Sequence, residues 1–264
     1  MSDRNDSADL YGLIGQPVAG LRSPGLFQAS LAERGLGGTM VPLEIAPASL
    51  ETALYGLRSL ANLRGFLVTM PHKQSIAPLL DDLTEAARVT GAVNIVRRTE
   101  DGRLVGGQLD GPGFVAGLVQ AGFSPKGANV FMAGAGGVAA GIAFALAEAG
   151  VARIAMANRN RARAEKLCAR LAAHFPDCAL SATDLAPGRD IGVAINATSL
   201  GLDGETDLPF ALDDLPAAAF VADVVNRPEP TALVATARTR GHTAIEGRGM
   251  VMPQLPMMHA FFAG

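Results

Sequence analysis

Residues 128–139, Ala-Asn-Val-Phe-Met-Ala-Gly-Ala-Gly-Gly-Val-Ala, run from an apolar stretch into a glycine-rich turn, and an Ala-rich helical segment follows to Ala149. The chemistry such a turn serves is capture of a dinucleotide's pyrophosphate. Gly134 allows a tight bend, Gly136 lets the backbone approach the phosphates, and Ala139 permits close packing of helix on strand, with Ala135, Gly137 and Val138 completing the loop. The helix start then offers unpaired N–H groups to the anion. A second apolar run at 151–157 ends in Asn158-Arg159-Asn160-Arg161, and no Asp or Glu occurs between Gly150 and Arg163. At the end of a second strand an acidic residue would take the ribose hydroxyls of NAD, whereas arginine suits the 2′-phosphate of NADP. Asn158, Arg159 and Arg161 therefore read as an NADP-type site; the same arginines also suit a solvated helix start. Further on, Ile195-Asn196-Ala197-Thr198-Ser199 puts polar residues at another strand end, where open α/β sheets hold ligands.

These groups need a scaffold that delivers them to one edge. Short Val/Ile/Leu-rich runs alternate with helical segments, the pattern of a parallel sheet with covering helices. The spacing predicts strands at 10–14, 40–45 and 65–70, and helices from Ser23 to about Arg34, over 48–60 and over 75–88. It also predicts a hairpin of 93–98 with 103–107 turning at Asp101-Gly102, and a helix from Pro112. Roughly 110 residues thus form an α/β unit before the glycine turn begins. Beyond it, 191–196 and 219–224 read as further strands, and the Pro-rich pieces at 209–216 and 228–230 as loops.

With 264 residues the chain suffices for one large or two moderate domains. Hydrophobic residues at 49 % against 18 % charged ones indicate a soluble globular protein, and a net charge of −3 argues against tracking nucleic-acid phosphates, which needs a basic excess. The opening at 1–6 is polar, with no apolar signal core, and no uninterrupted apolar run reaches membrane length. The expectation is a cytoplasmic protein acting on a small molecule, monomeric or homodimeric, without nucleic-acid or membrane partners. Cys168 and Cys178 form no C-x-x-C, which suits a reduced compartment, and the four histidines show no metal-ligand spacing, so no metal site is expected. Met250, Met252, Met257 and Met258 crowd the C-terminus and suit helix packing; Phe261 and Phe262 suit a core.

Taken in order, Gly15-Gln16-Pro17-Val18, Ser23-Pro24, Val68-Thr69-Met70-Pro71-His72-Lys73, Gly91-Ala92-Val93-Asn94, Asp110-Gly111, the turn at 134–139, Asn158-Arg159, Asn196-Ala197-Thr198-Ser199, Asp223 with Pro228 and Thr231, and Gly247 through Gln254 resemble the shikimate dehydrogenases over nearly the whole chain. The resemblance implies two α/β domains with a cleft between them. One is an N-terminal substrate-binding and catalytic domain of residues 1–110 joined by a C-terminal helix at 241–264; the other is a Rossmann-like NADP-binding domain of 111–240. It implies reversible conversion between 3-dehydroshikimate and shikimate with NADP(H). By the same resemblance Lys73 is the catalytic lysine and Asp110 its partner, and Ser23, Thr69, Asn94 and Gln254 bind substrate. Thr198, Ser199, Gly247 and Met250 join the glycine turn on the cofactor. Hydride transfer to a carbonyl builds negative charge on oxygen, which a proton donor must meet. Lys73, just after a strand end and a proline, can be aimed rigidly, and Asp110 can orient its ammonium.

The chain also departs from the family. Where the family has His-Ser ahead of its x-Ser-Pro, this chain has Gly20-Leu21, so one of two serines that hold the substrate carboxylate is Leu21. The asparagine of Asn-Val-Thr is Leu67, the Asn-Thr before the catalytic aspartate is Gln108-Leu109, and a common tyrosine is Asn226. Each buried polar partner lost costs about 1–3 kcal/mol, so two losses weaken shikimate binding by roughly two to four powers of ten, unless Arg22 pairs the carboxylate. The expectation is an NADP oxidoreductase of shikimate-dehydrogenase type with weak shikimate activity and a related, less polar substrate. A quinate-type or other cyclic polyol dehydrogenase is the near alternative. A nucleotide-binding regulator without turnover is the distant one, against which retention of Lys73 and Asp110 argues.

Overall fold

In the computed structural model, which describes residues 9–264, the chain folds as two compact units. The polar opening at 1–6 lies outside the described residues. The first unit runs to Leu109 and includes Leu255–Gly264; the second is Asp110–Gln254.

The first unit contains β1 (Leu10–Gly15), α1 (Ser23–Glu33), β2 (Thr39–Glu44), α2 (Leu50–Arg58), β3 (Leu63–Val68), α3 (His72–Ser75), β4 (Asp82–Leu83), α4 (Glu85–Thr90), β5 (Ile95–Arg98) and β6 (Leu104–Gly107). They build a mixed sheet in the order β2-β1-β3-β5-β6-β4, parallel across β2, β1 and β3 and antiparallel from β3 through β5 to β6. Successive side chains of a strand point to opposite faces. Ile14, Phe66, Val68 and Val96 therefore pack with Leu50, Leu54 and Leu57 of α2. Leu13, Leu67 and Ile95 pack instead with Phe27 and Leu31 of α1 and with Leu255, Met258 and Phe262.

The single helix expected over 75–88 is broken. Pro78 lacks a donor and disfavours helical backbone before it, so α3 stops at Ser75 and a 3-10 turn follows at Ala77–Leu79. Asp81 Oδ2 then accepts from the Leu104 N–H at 2.7 Å, which holds the chain beside β6, and α4 starts afresh where Thr84 Oγ1 accepts from Ala87 N–H.

The second unit contains α5 (Asp110–Gln120), β7 (Asn129–Ala133), α6 (Gly137–Glu148), β8 (Arg153–Ala157), α7 (Arg161–Ala172), β9 (Ala179–Thr183), β10 (Val193–Asn196), β11 (Phe220–Asp223), α8 (Ala232–Thr239), β12 (Ala244–Ile245) and the start of α9 (Gly247–Ala263). Its sheet is parallel throughout, in the order β12-β11-β10-β7-β8-β9. The chain builds outward from β7 to β9, then returns to β10 on the other side of β7. That reversal makes the β7/β10 boundary a topological switch point, where doubly wound sheets open a crevice at their carboxyl ends. Residues 241–264, read from the sequence as one helix of the first domain, divide differently. Residues 244–245 are β12, paired with β11, and α9 from Gly247 to Gln254 groups with the second unit. Close backbone packing sets that grouping: a Cβ on Gly117 would lie 2.2 Å from the Gly249 carbonyl oxygen, and one on Gly113 would lie 2.1 Å from Gln254 Cγ.

Candidate functional site

In the second unit the glycine turn leaves β7 at the switch point. Gly134 has φ +119°, and a Cβ there would sit 2.6 Å from the Ala197 carbonyl oxygen, so a side chain is barred by both conformation and contact. Its N–H donates to Ala157 O at 2.7 Å, while Ala197 N–H donates to Ala133 O at 2.7 Å. These bonds join the ends of β7, β8 and β10. Gly136 lies extended at the start of α6, with no atom within 4 Å of where its Cβ would be. Backbone amides of Gly137 and Val138 thus open α6 beside free space, while Ala135 and Ala139 are buried beneath. This donor set fits a pyrophosphate.

At the end of β8, Asn158 Nδ2 donates to Asn160 O at 2.8 Å, and Asn160 Oδ1 accepts from Arg163 N–H to cap α7. Arg159 is exposed at that strand end. Arg161 is engaged by Glu165 at 3.0 Å, Asp184 at 3.2 Å and Ala182 O at 3.3 Å. Exposed pairs of this kind are weak, worth about 0.2–1 kcal/mol, so a phosphate can compete for the guanidinium.

The β10 end is held by a buried network that joins Asn196 and Thr198, expected at the ligand edge, to Asp223 and Thr231, for which the sequence alone indicates no role. Asn196, fully buried, donates from Nδ2 to Asp223 Oδ1 at 3.0 Å and to Leu200 O at 3.1 Å, and its Oδ1 accepts from the Thr198 hydroxyl at 2.7 Å. Asp223 also accepts from Val225 N–H at 2.9 Å and from the Thr231 hydroxyl at 2.7 Å. Burial pushes the Asp223 carboxyl above its ordinary range, against the opposing pull of Thr231, Val225 and Asn196. Thr198 spends its hydroxyl proton on Asn196, and Ser199 is exposed beside it. Gly247 is tightly placed, since a Cβ would lie 2.5 Å from the Val225 carbonyl oxygen. Met250 and Gln254 are buried, and Gln254 Nε2 has no hydrogen-bond partner among the described residues. Asp110, buried, begins α5.

In the first unit Thr69, Lys73 and Asn94 gather at one sheet edge. Thr69 N–H donates to Ile14 O at 2.9 Å, Val68 N–H to Asn94 O at 2.8 Å, and Val93 N–H to Lys73 O at 2.7 Å. Gly15 permits this, because a Cβ there would lie 2.3 Å from Thr69 Cγ2. Asn94 Oδ1 accepts from Leu109 N–H at 2.7 Å. Ser23, half-buried, is the first residue of α1. The leucines that depart from the family share one environment. Leu67 is a core residue, 4 % exposed, and half-buried Leu21 and Leu109 pack against the same cluster of Leu13, Phe27, Ile95 and Phe262. Among the described residues, no group of three or more His, Cys, Asp or Glu is placed to hold a metal, and no helix is long and apolar enough to cross a membrane.

Comparison with known proteins agrees with this architecture. Residues 13–96 match the family model described as "Shikimate dehydrogenase substrate binding domain" and residues 118–199 the one described as "Shikimate / quinate 5-dehydrogenase". The chain is similar to the shikimate dehydrogenase (NADP(+)) of Rubrobacter xylanophilus, 44 % identical over 93 % of this chain and 87 % of that one. It is also similar to the crystal structure of shikimate 5-dehydrogenase from Thermus thermophilus in complex with NADP(H) and shikimate, at TM-score 0.87 and 30 % identity over 97 % and 94 % of the two chains. The 5-ketofructose reductase of a Gluconobacter strain superposes at TM-score 0.86 with 31 % identity over 96 % and 92 %. A mixed-sheet unit with a lysine turn, a Rossmann-like unit with its glycine turn, and identity of this extent together show that the chain belongs to the shikimate dehydrogenase family.

Proposed function

We propose that the protein catalyses NADP-dependent, reversible oxidation of a ring alcohol to a ketone on a shikimate-type cyclic hydroxy acid or a less polar relative. The observation that carries the reading is the β7/β10 switch point, where Gly134 lets the turn reach β10 and Gly136 leaves the α6 amides accessible to a pyrophosphate. The turn from Gly134 to Ala139 holds the phosphates. Asn158 and Arg159, with Arg161 in competition with its carboxylates, take the 2′-phosphate end. Gly247 and Met250 border the nicotinamide, and Thr198 and Ser199 shape the adjoining wall. When bound, NADP accepts or returns a hydride.

The remaining chemistry falls to the chain's own groups. Lys73 supplies or removes the proton on the reacting oxygen, and Asp110 orients the ammonium and accepts from a substrate hydroxyl. Thr69, Asn94 and Gln254 bond the ring hydroxyls; the orphaned Gln254 Nε2 is a donor suited to such a ligand. Ser23 remains for the carboxylate, with Leu21 beside it in the sequence. The packing of Leu21, Leu67 and Leu109 against one apolar cluster supports weakened carboxylate recognition, and the similar structure named 5-ketofructose reductase, after a ketose without a carboxylate, supports a less polar substrate.

Steady-state rates with NADP+ and shikimate, quinate and uncharged cyclic polyols test this reading. The expected result is turnover with shikimate at a KM elevated over an ordinary family member by roughly two to four powers of ten, and recovery of part of that loss in Leu21→Ser. A low KM and fast turnover with shikimate would overturn the altered-substrate part. No turnover with any of the three classes would overturn the whole.

A further inference from the structure

Lys73 sits on α3, a helix of only four residues, too short to fix its own direction because helix nucleation is unfavourable. Its orientation has to come from outside. The residue before it, His72, is completely buried, and its imidazole Nε2 lies 2.7 Å from the Ile45 carbonyl oxygen, just past the end of β2. A carbonyl only accepts, so Nε2 carries the proton. In the neutral ring Nδ1 is then an acceptor, buried and without a hydrogen-bond partner among the described residues. An aliphatic or aromatic side chain in the same place would avoid that orphan, so the residue type is not explained by packing.

The surrounding bonds show what the imidazole adds. Ile45 N–H donates to Gly15 O at 3.0 Å, Gln16 N–H to Met70 O at 2.9 Å, Thr69 N–H to Ile14 O at 2.9 Å, and His72 N–H to Thr69 O at 3.0 Å. These backbone bonds tie the ends of β1, β2 and β3 into one edge. The His72–Ile45 bond fastens α3 across that edge to β2, and Val93 N–H to Lys73 O fastens its other side toward β5. We infer that His72 is a positioning residue for Lys73: its hydrogen bond to Ile45 sets the direction in which α3 presents the lysine amine. The inference rests on Lys73 being the proton-transfer group of the proposed reaction.

The test is a set of full-length variants, His72→Leu, His72→Gln, His72→Asn and Lys73→Ala, assayed for kcat and KM with shikimate and NADP+, and for NADPH affinity by the fluorescence of the bound nucleotide. Misdirecting a reacting group by about an ångström costs on the order of 10- to 100-fold, so H72L should lose that much in kcat while KM and NADPH affinity stay within about twofold. H72Q, whose amide can donate from the position of Nε2, should recover most of the rate; H72N, which is too short to reach Ile45, should not. Should H72L fail to fold, the Gln and Asn pair decides: equal rates, or equal failure to fold, overturn the inference. Unchanged kcat in H72L also overturns it. Activity retained by K73A would instead overturn the role of Lys73, and K73A inactive beside a fully active H72L would leave that role intact and remove His72's.

Discussion

Asp223 illustrates how a single buried side chain can hold a loop in place at some cost. Desolvation raises its pKa, while Thr231, Val225 N–H and Asn196 each favour the ionised form. A carboxyl whose pKa is raised on folding binds its proton more tightly in the native chain. Its contribution to stability is therefore greatest below the ordinary carboxylate range and is lost as pH rises through the folded value. At neutral pH the three donors keep that loss small. Thr231→Val removes the bond to Oδ2 and also uncaps α8, where Thr231 Oγ1 accepts from Val234 N–H. Urea titration at neutral pH should show a loss of about 1–3 kcal/mol, and NADPH affinity should fall as the Asn196–Thr198 loop relaxes. A midpoint matching that of the parent protein would contradict this reading of the network.

At the scale of elements, the C-terminal part of α9 is docked on α1 through His259. Its ring stacks on Phe27 at 4.7 Å between centroids, and Nε2 lies 2.8 Å from Ser30 Oγ. Burial, and secondarily the positive charge of Arg34, hold the imidazole below the usual histidine range. The folded chain therefore prefers the neutral ring, and the unfolded chain binds the extra proton first. Stability is fully present above the unfolded value of about 6.5 and falls as pH drops through it toward the folded value. Melting temperature should decline between about pH 7.5 and pH 5.5, and His259→Gln should flatten that part of the profile. An identical slope in the variant would assign the acid sensitivity elsewhere. The same scale explains the broken helix: Pro78 and the capping Thr84 are visible in the sequence, but the bond from Leu104 that draws Asp81 to β6 is not.

Across the whole molecule, two units with separate sheets and separate cores share one chain, and the proposed cofactor groups lie in the second. A ligand that binds only the native form stabilises what it binds, by about 2.7 kcal/mol at a hundredfold excess over its dissociation constant. Hydrogen exchange with saturating NADP+ should therefore slow most at the amides of β7, β8, β10 and the first turn of α6, with smaller changes in β1, β2 and β3. Equal protection in both sheets would show that the two units open together.

With β4, β9, β12 and the break before Pro78 excepted, most strands and helices are legible along the chain, as are the glycine turn, the basic end of β8 and the family. Those features are local: they depend on period-two burial, on a bend that only glycine tolerates at Gly134, and on motif order along the chain. The tertiary structure decided which side chains do what. Leu67 packs into the core because β3 turns that face toward α1, and Arg161 meets Asp184 because β9 lies beside β8. His72 finds Ile45, and Asn196 finds Asp223, each across 27 residues. Such partners are set by sheet order and register, which bring distant strand ends together, and no local pattern encodes that proximity.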